Sequence, residues 1–164
     1  MIVALRVDDR LVHGQVALAW SKTLGTQGII VANDRAAGND IQKMTLKLAT
    51  PSGQKMTVCT VEKAIDLLKN PKAETMRLMV IVSMVKDALK ICRNVEEAKE
   101  VNLAGAGRLE GGNMEDKTIL VKSSVFLTAD EMDALRELIS MGITVFHQSL
   151  PTNPKQQAID LLKS

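Results

Sequence analysis

Short apolar, β-branched runs recur at residues 2–7, 28–32, 56–60, 78–82 and 143–146. Between them, residues 14–23, 40–49, 61–68 and 85–93 place apolar side chains three and four positions apart, the period of a helix with one buried face. Strands alternating with helices predict βαβ units. The spacings suit crossovers that put helices on both faces of an open, mostly parallel sheet. Gly25, Pro51 with Gly53, and Asn70 with Pro71 punctuate the helix ends.

The last third is patterned differently. Residues 100–103 form a weak strand, and Gly105, Gly107, Gly111 and Gly112 then open a loop before residues 118–121, which are expected as an antiparallel edge strand. Thr128 followed by Glu131 has the spacing of a capping box, so residues 129–140 are expected to be helical. Pro154 suits the first turn of a terminal helix ending at Leu162. With no linker, repeat or low-complexity stretch, the 164 residues are expected to form one three-layer α/β domain.

Charge and composition mostly exclude functions. Lys plus Arg number 21 against 19 Asp plus Glu, a net charge of +2 that gives no field suited to nucleic acid or a membrane surface. Trp20, Phe126 and Phe146 are the only aromatics, too few for a base-stacking platform. The amino terminus reads as neither signal peptide nor membrane span, and the run at 78–85 is too short to cross a bilayer, so a cytosolic protein is expected. Cys59 and Cys92 stand far apart among apolar neighbours. They read as buried reduced thiols, and no metal site is expected.

Chemistry concentrates after the first strand. In an open parallel sheet, ligands bind beyond the carboxyl ends of the strands, and here that loop reads Asp8-Asp9-Arg10-Leu11-Val12-His13-Gly14-Gln15. A neutral imidazole is a nucleophile suited to phosphorus, which makes His13 the candidate acceptor. Gly14 permits close backbone approach to an anion, and the amides of Gly14, Gln15 and Val16 would face that anion at the helix start. Arg10 offers a planar fork matching phosphate oxygens. Either Asp8 or Asp9 is suited to hold the second ring nitrogen of His13 and fix its tautomer. The plainer alternative is a solvated charge cluster in which His13 only ends the loop.

The run from Asp8 to Val16 resembles the active-site loop of the enzyme IIB component of the phosphoenolpyruvate-dependent sugar phosphotransferase system, mannose/fructose/sorbose family. The resemblance continues through Ile29-Ile30-Val31-Ala32-Asn33-Asp34, the helix at 40–49 with Pro51-Ser52-Gly53, and Ser140-Met141-Gly142-Ile143-Thr144-Val145. It implies a phosphocarrier. His13 would take a phosphoryl group from a phosphorylated IIA protein or domain, through Nδ1, and pass it to a sugar held by the membrane subunits IIC and IID. Arg10 would stabilise charge on the phosphoryl oxygens. The resemblance also implies a cytoplasmic protein peripherally associated with the transporter. Because the donor is an activated N–P bond, no cofactor is implied.

The family carries a compact Gly-Gly-Met turn after the fifth strand, where this chain has the longer segment Ala104-Gly105-Ala106-Gly107-Arg108-Leu109-Glu110-Gly111-Gly112-Asn113-Met114. Partner or sugar recognition is where that departure would act. Arg108 is a candidate second phosphate contact, although a solvated loop charge is the plainer expectation. Leu11 and Val12 are expected to form an exposed apolar docking rim. Ser83, at the end of the fourth strand, is suited either to donate to a bound phosphate or to cap the next helix. Asn33 is expected in a turn, Trp20 in a packed helix face, and His147 at the surface.

Two other function classes share parts of this pattern. Histidine-phosphatase-type hydrolases place arginine before a strand-end His-Gly pair, and Val12 stands in that place here. A nucleotide-binding module would rest on Gly105 to Glu110, but its fingerprint requires a third glycine at position 110 and a location after the first strand.

Overall fold

The computed structural model describes residues 1–109 and 112–163. Its strands are β1 (Ile2–Asp8), β2 (Gly28–Ala32), β3 (Lys55–Cys59), β4 (Leu78–Val82), β5 (Glu100–Gly105), β6 (Thr118–Val121), β7 (Val125–Leu127), β8 (Thr144–His147) and β9 (Gln156–Gln157). Its helices are α1 (Gly14–Leu24), α2 (Asp34–Ala37), α3 (Asp40–Leu48), α4 (Val61–Lys69), α5 (Val85–Asn94), α6 (Ala129–Ser140) and α7 (Ala158–Leu162).

One seven-stranded sheet runs in the order β3-β2-β4-β1-β5-β8-β9, parallel throughout except for the last pair. Alternate residues of its central strands divide between two cores. Ile30, Ala32, Val80 and Val82 pack with Val61, Ile65, Val85, Leu89 and Leu135 from α4, α5 and α6. Ile29, Val31, Met79 and Ile81 pack with Ala17, Trp20 and Leu46 from α1 and α3. Burial on both faces explains why β2 and β4 read as unbroken apolar runs.

Helix starts follow their local chemistry. The side chains of Asn33, Asn39, Thr60 and Thr128 accept hydrogen bonds from the first-turn amides of α2, α3, α4 and α6. Only half of the expected capping box at Thr128 forms. The buried Glu131 carboxylate turns instead to α5 and accepts from the amides of Val85 and Lys86 at 2.7 and 2.9 Å. Burial pushes this carboxyl up from its ordinary pKa, against the pull of those two amides. At α1 the arrangement differs: His13 occupies the N-cap position and makes no side-chain cap bond.

Two expectations at the carboxyl-terminal end are corrected. Residues 118–121 do not edge the main sheet but pair with β7 in a separate two-stranded ribbon, because the backbone of Ala106 leads the chain out to Ser124 and Phe126. The antiparallel edge is β9, laid against β8. Pro154 precedes this strand, and the terminal helix begins only at Ala158, since 156–157 are drawn into the sheet. Cys59 and Cys92 are buried and unpaired, as expected, and burial raises both thiols, Cys92 to about 11.

Candidate functional site

The switch point of the sheet lies between its two central strands. The chain leaves β1 through α1 on one face, whereas it leaves β4 through α5 on the other, so a crevice opens beyond their carboxyl ends. The loop 9–13 fills that position. Its turn closes by a hydrogen bond from the Leu11 amide to the Asp8 carbonyl at 2.8 Å, with Leu11 left-handed at φ 58°. That conformation costs about 1–2 kcal/mol in a residue with a side chain. Burying the Leu11 and Val12 side chains beside Trp20, Ile29 and Ile81 offsets it.

Leu11 and Val12 are therefore not a docking rim. They are 6% and 4% exposed and belong to the core under α1, where they anchor the loop. The expectation failed because the loop doubles back, turning inward the apolar residues between the charged ones.

Asp8 is the centre of the site and is 1% exposed. Its Oδ1 accepts from the Arg10 amide at 3.0 Å, Arg108 Nη2 at 3.1 Å and Arg10 Nε at 3.5 Å. Its Oδ2 faces Arg6 Nη2 and His13 Nε2, each at 3.4 Å. Of the two acids considered for orienting His13, it is Asp8 that reaches the ring. A carboxylate only accepts, so this contact places the imidazole proton on Nε2 and the lone pair on Nδ1. Desolvation by burial lowers the His13 pKa below 6.5; Asp8 opposes that shift, and the cations of Arg10 and Arg6 add to it.

Asp9 turns the other way. Its carboxylate accepts from the Arg108 amide at 2.7 Å, from Arg108 Nη2 and Nε at 2.6 and 3.0 Å, and from the Leu109 amide at 3.3 Å. Arg108 is thus no solvated loop charge. The glycines around it make room: a Cβ on Gly105 would lie 2.0 Å from Arg108 Nη2, and Gly107, at φ 76°, lies so close to the Phe126 carbonyl that a Cβ would stand 1.8 Å from its oxygen. Glu110 and Gly111 of the same segment lie outside the described residues.

At the head of α1 the first intrahelical bond runs from the Ala17 amide to the His13 carbonyl. The amides of Gly14, Gln15 and Val16 therefore precede the helical ladder beside the half-buried imidazole, which is 28% exposed. Gly14 has φ 34°, and no neighbouring atom lies within 4 Å of where its Cβ would be. Arg10 is 44% exposed and holds Asp8 only at the long 3.5 Å contact, so its guanidinium is free to turn toward an incoming anion.

Arg6, which sequence reasoning passed over, is buried beneath this cluster. It donates to the carbonyls of Gln148 and Ser149 at 3.3 and 3.1 Å and lies 5.3 Å from the centre of the Trp20 ring. A lone arginine inside an apolar strand was its only signal in the sequence. Ser83 is buried, and its Oγ accepts from Asn33 Nδ2 at 2.8 Å. It does not cap α5, whose start is held by Glu131. Ser83 shares a small pocket with Asp9, Gly107 and Lys117, a pocket that His13 does not line. His147 is not at the surface: it is 8% exposed, with Nδ1 2.8 Å from the Leu103 carbonyl, because β9 and α7 close over the end of β8.

Among the described residues no group of His, Cys, Asp and Glu has the arrangement of a metal site, and no helix is long and apolar enough to cross a membrane. A groove of about 480 Å³ beside α1 is lined by Ile2, Trp20, Phe146 and Lys155 and does not include His13.

The head of α1 thus carries an imidazole held by Asp8 beside backbone amides that precede the helical ladder. Residues 2–164 match the family described as the PTS system sorbose subfamily IIB component. The chain belongs to that family. As a IIB component of the phosphotransferase system, of the sorbose/mannose type, it is a phosphotransferase. It is 46% identical over 156 residues to a "Probable phosphotransferase enzyme IIB component" of Streptococcus pyogenes serotype M6, covering 94% of this chain and 95% of that one. The sorbose-specific EIIB component of Lacticaseibacillus casei is 32% identical over 160 residues, 97% of this IIB chain and 94% of its own length. The crystal structure of the IIBSor domain of the sorbose permease from Klebsiella pneumoniae superposes with a TM-score of 0.89 at 28% identity, covering 99% of this chain and 96% of that domain. Neither the hydrolase nor the nucleotide-binding reading is supported by these relatives.

Proposed function

We propose that this IIB chain is phosphorylated on His13 by a phosphorylated IIA protein or domain and passes the group to a sugar during uptake through the membrane subunits IIC and IID. The observation that carries the assignment is the contact of Asp8 Oδ2 with His13 Nε2, which leaves the Nδ1 lone pair as nucleophile beside the amides at the start of α1.

In the transfer, the Nδ1 lone pair of His13 attacks the phosphorus in line with the donor's N–P bond. A new N–P bond forms as the old one breaks, and the donor imidazole leaves with its electron pair. The proton on Nε2 stays in place, and Asp8 stabilises the positive charge that the ring acquires. Arg10 and the amides of Gly14 and Gln15 meet the phosphoryl oxygens, where charge spreads in a loose transition state. Asp9 has a supporting role through Arg108, and Ser83 is left outside the transfer, bound to Asn33. In transfer to the sugar, a hydroxyl oxygen attacks the phosphorus as the His13 N–P bond breaks; the bond's electron pair returns to Nδ1 and the hydroxyl proton passes to solvent. The chain acts as one cytoplasmic IIB domain that meets IIC and IID at the membrane.

Incubation with a phosphorylated IIA protein tests this reading. Stable, acid-labile label on the wild type and none on His13→Ala supports it, whereas rapid release as inorganic phosphate would favour a hydrolase.

A further inference from the structure

Arg108 holds a place that the transfer mechanism does not itself require. Four hydrogen bonds from its side chain and amide reach the two carboxylates at the end of β1. Gly105 pairs with Asp8 across β1 and β5, and its carbonyl accepts from the Asp9 amide at 3.1 Å. The guanidinium therefore lies over Gly105 in the space a side chain would fill. Gly107 turns the chain back in a left-handed conformation, which a residue with a Cβ would adopt only with strain and with a collision at Phe126.

We propose that Arg108 is a positioning residue: by clamping Asp8 and Asp9 together from the glycine cradle of residues 105–107, it fixes the rotation of the Asp8 carboxylate so that Oδ2 stays on His13 Nε2. Arg108 and the Arg10 amide both hold Oδ1, which sets the torsion of the carboxylate and leaves Oδ2 for the ring. The two arginines consequently divide the work. Arg108, 21% exposed and fully engaged, is fixed, while Arg10, 44% exposed, is the mobile cation that meets phosphate. Arg108 acts on the imidazole through Asp8 and does not reach the phosphoryl group.

The role assigned to the held tautomer rests on the function proposed above, but the test of the clamp does not need the donor. Nitrogen-15 NMR of the unphosphorylated protein reads the His13 tautomer directly. The wild type is expected to show Nε2–H, and both Arg108→Ala and Gly105→Ala are expected to show a mixture with Nδ1–H. Gly105→Ala leaves the arginine present but displaces it. Arg108→Lys keeps the charge without the fork and is expected to fall between. Where a phosphorylated IIA protein labels the wild type, the two alanine variants should accept phosphate roughly 10–100-fold more slowly, the scale of losing a group that orients a ligating or reacting imidazole. An unchanged tautomer in folded Arg108→Ala overturns the proposal, including the case in which its rate falls, since that would make Arg108 a phosphate contact. If Gly105→Ala fails to fold, the Arg108 variants decide alone. Failure of the wild type to accept phosphate would contradict the proposed function and leave the tautomer result standing.

Discussion

Asp8 Oδ2 and His13 Nε2 stand 3.4 Å apart, and the same carboxylate, 1% exposed, also pairs with the buried Arg6. One acid thus sets the imidazole's tautomer and neutralises a cation in the core. Asp8→Asn separates these roles. With its oxygen held by Arg108 and the Arg10 amide, the amide nitrogen of the variant faces Nε2 and forces the proton to Nδ1. Phosphoryl acceptance is expected to fall by up to about 10⁴-fold, the scale seen when the acid fixing a catalytic imidazole is made an amide. Single-turnover transfer kinetics check this. Asp8→Ala should also destabilise the fold by about 3–5 kcal/mol in urea denaturation, because Arg6 keeps its charge without its partner.

Acceptance needs a neutral imidazole, and burial together with Arg10 and Arg6 lowers the His13 pKa from 6.5. The acid limb of the acceptance rate should therefore lie below pH 6.5. The linked effect on stability has a definite sign. Because the unfolded chain takes up this proton at higher pH than the folded one, stability conferred at His13 is present above 6.5 and is lost as pH falls from 6.5 toward the lowered value. An NMR titration of His13 checks the direction, and Arg10→Gln should move the midpoint upward.

Arg10 is half exposed and weakly held, so its replacement should leave stability within about 0.5 kcal/mol, as for other surface changes. Its effect on transfer should be far larger. Arg10→Ala is expected to slow phosphoryl acceptance by roughly 10³-fold or more, the contribution of a guanidinium at a phosphoryl transition state. Thermal unfolding and transfer rates measured on the same preparation separate the two.

Leu11 and Val12 are core residues, and substitutions there should act through the fold. Leu11→Ala should lower stability by about 2–5 kcal/mol, the range for removing a buried leucine side chain. Affinity for a IIA protein, measured where the variant is still folded, should change little. A variant of full stability that fails to bind the donor would restore these residues to the docking surface.

Much of this was legible in sequence because local signals and tertiary packing agree. The apolar runs that became β2 and β4 are buried on both faces, and Asn39, Thr60 and Thr128 cap the helices they precede. The loop at 8–15 announced its chemistry through residue types that no core would hold together. What the sequence could not disclose was long-range. Asp8, and not Asp9, meets the ring, and both acids are bonded by Arg108, a hundred residues away, from a place that Gly105 leaves open. Leu11 is buried because of a left-handed turn that propensity does not favour, and Glu131 left its own helix's cap for the start of α5. The two-residue β9 is too short to carry a periodic signal.

The central claim is that His13 carries the phosphoryl group on Nδ1. Phosphorus-coupled nitrogen-15 NMR of the protein after incubation with a phosphorylated IIA protein measures this directly. The account predicts one phosphohistidine, at Nδ1 of His13, absent from His13→Ala. A label on Nε2, or a stable label on the His13→Ala variant, would contradict it.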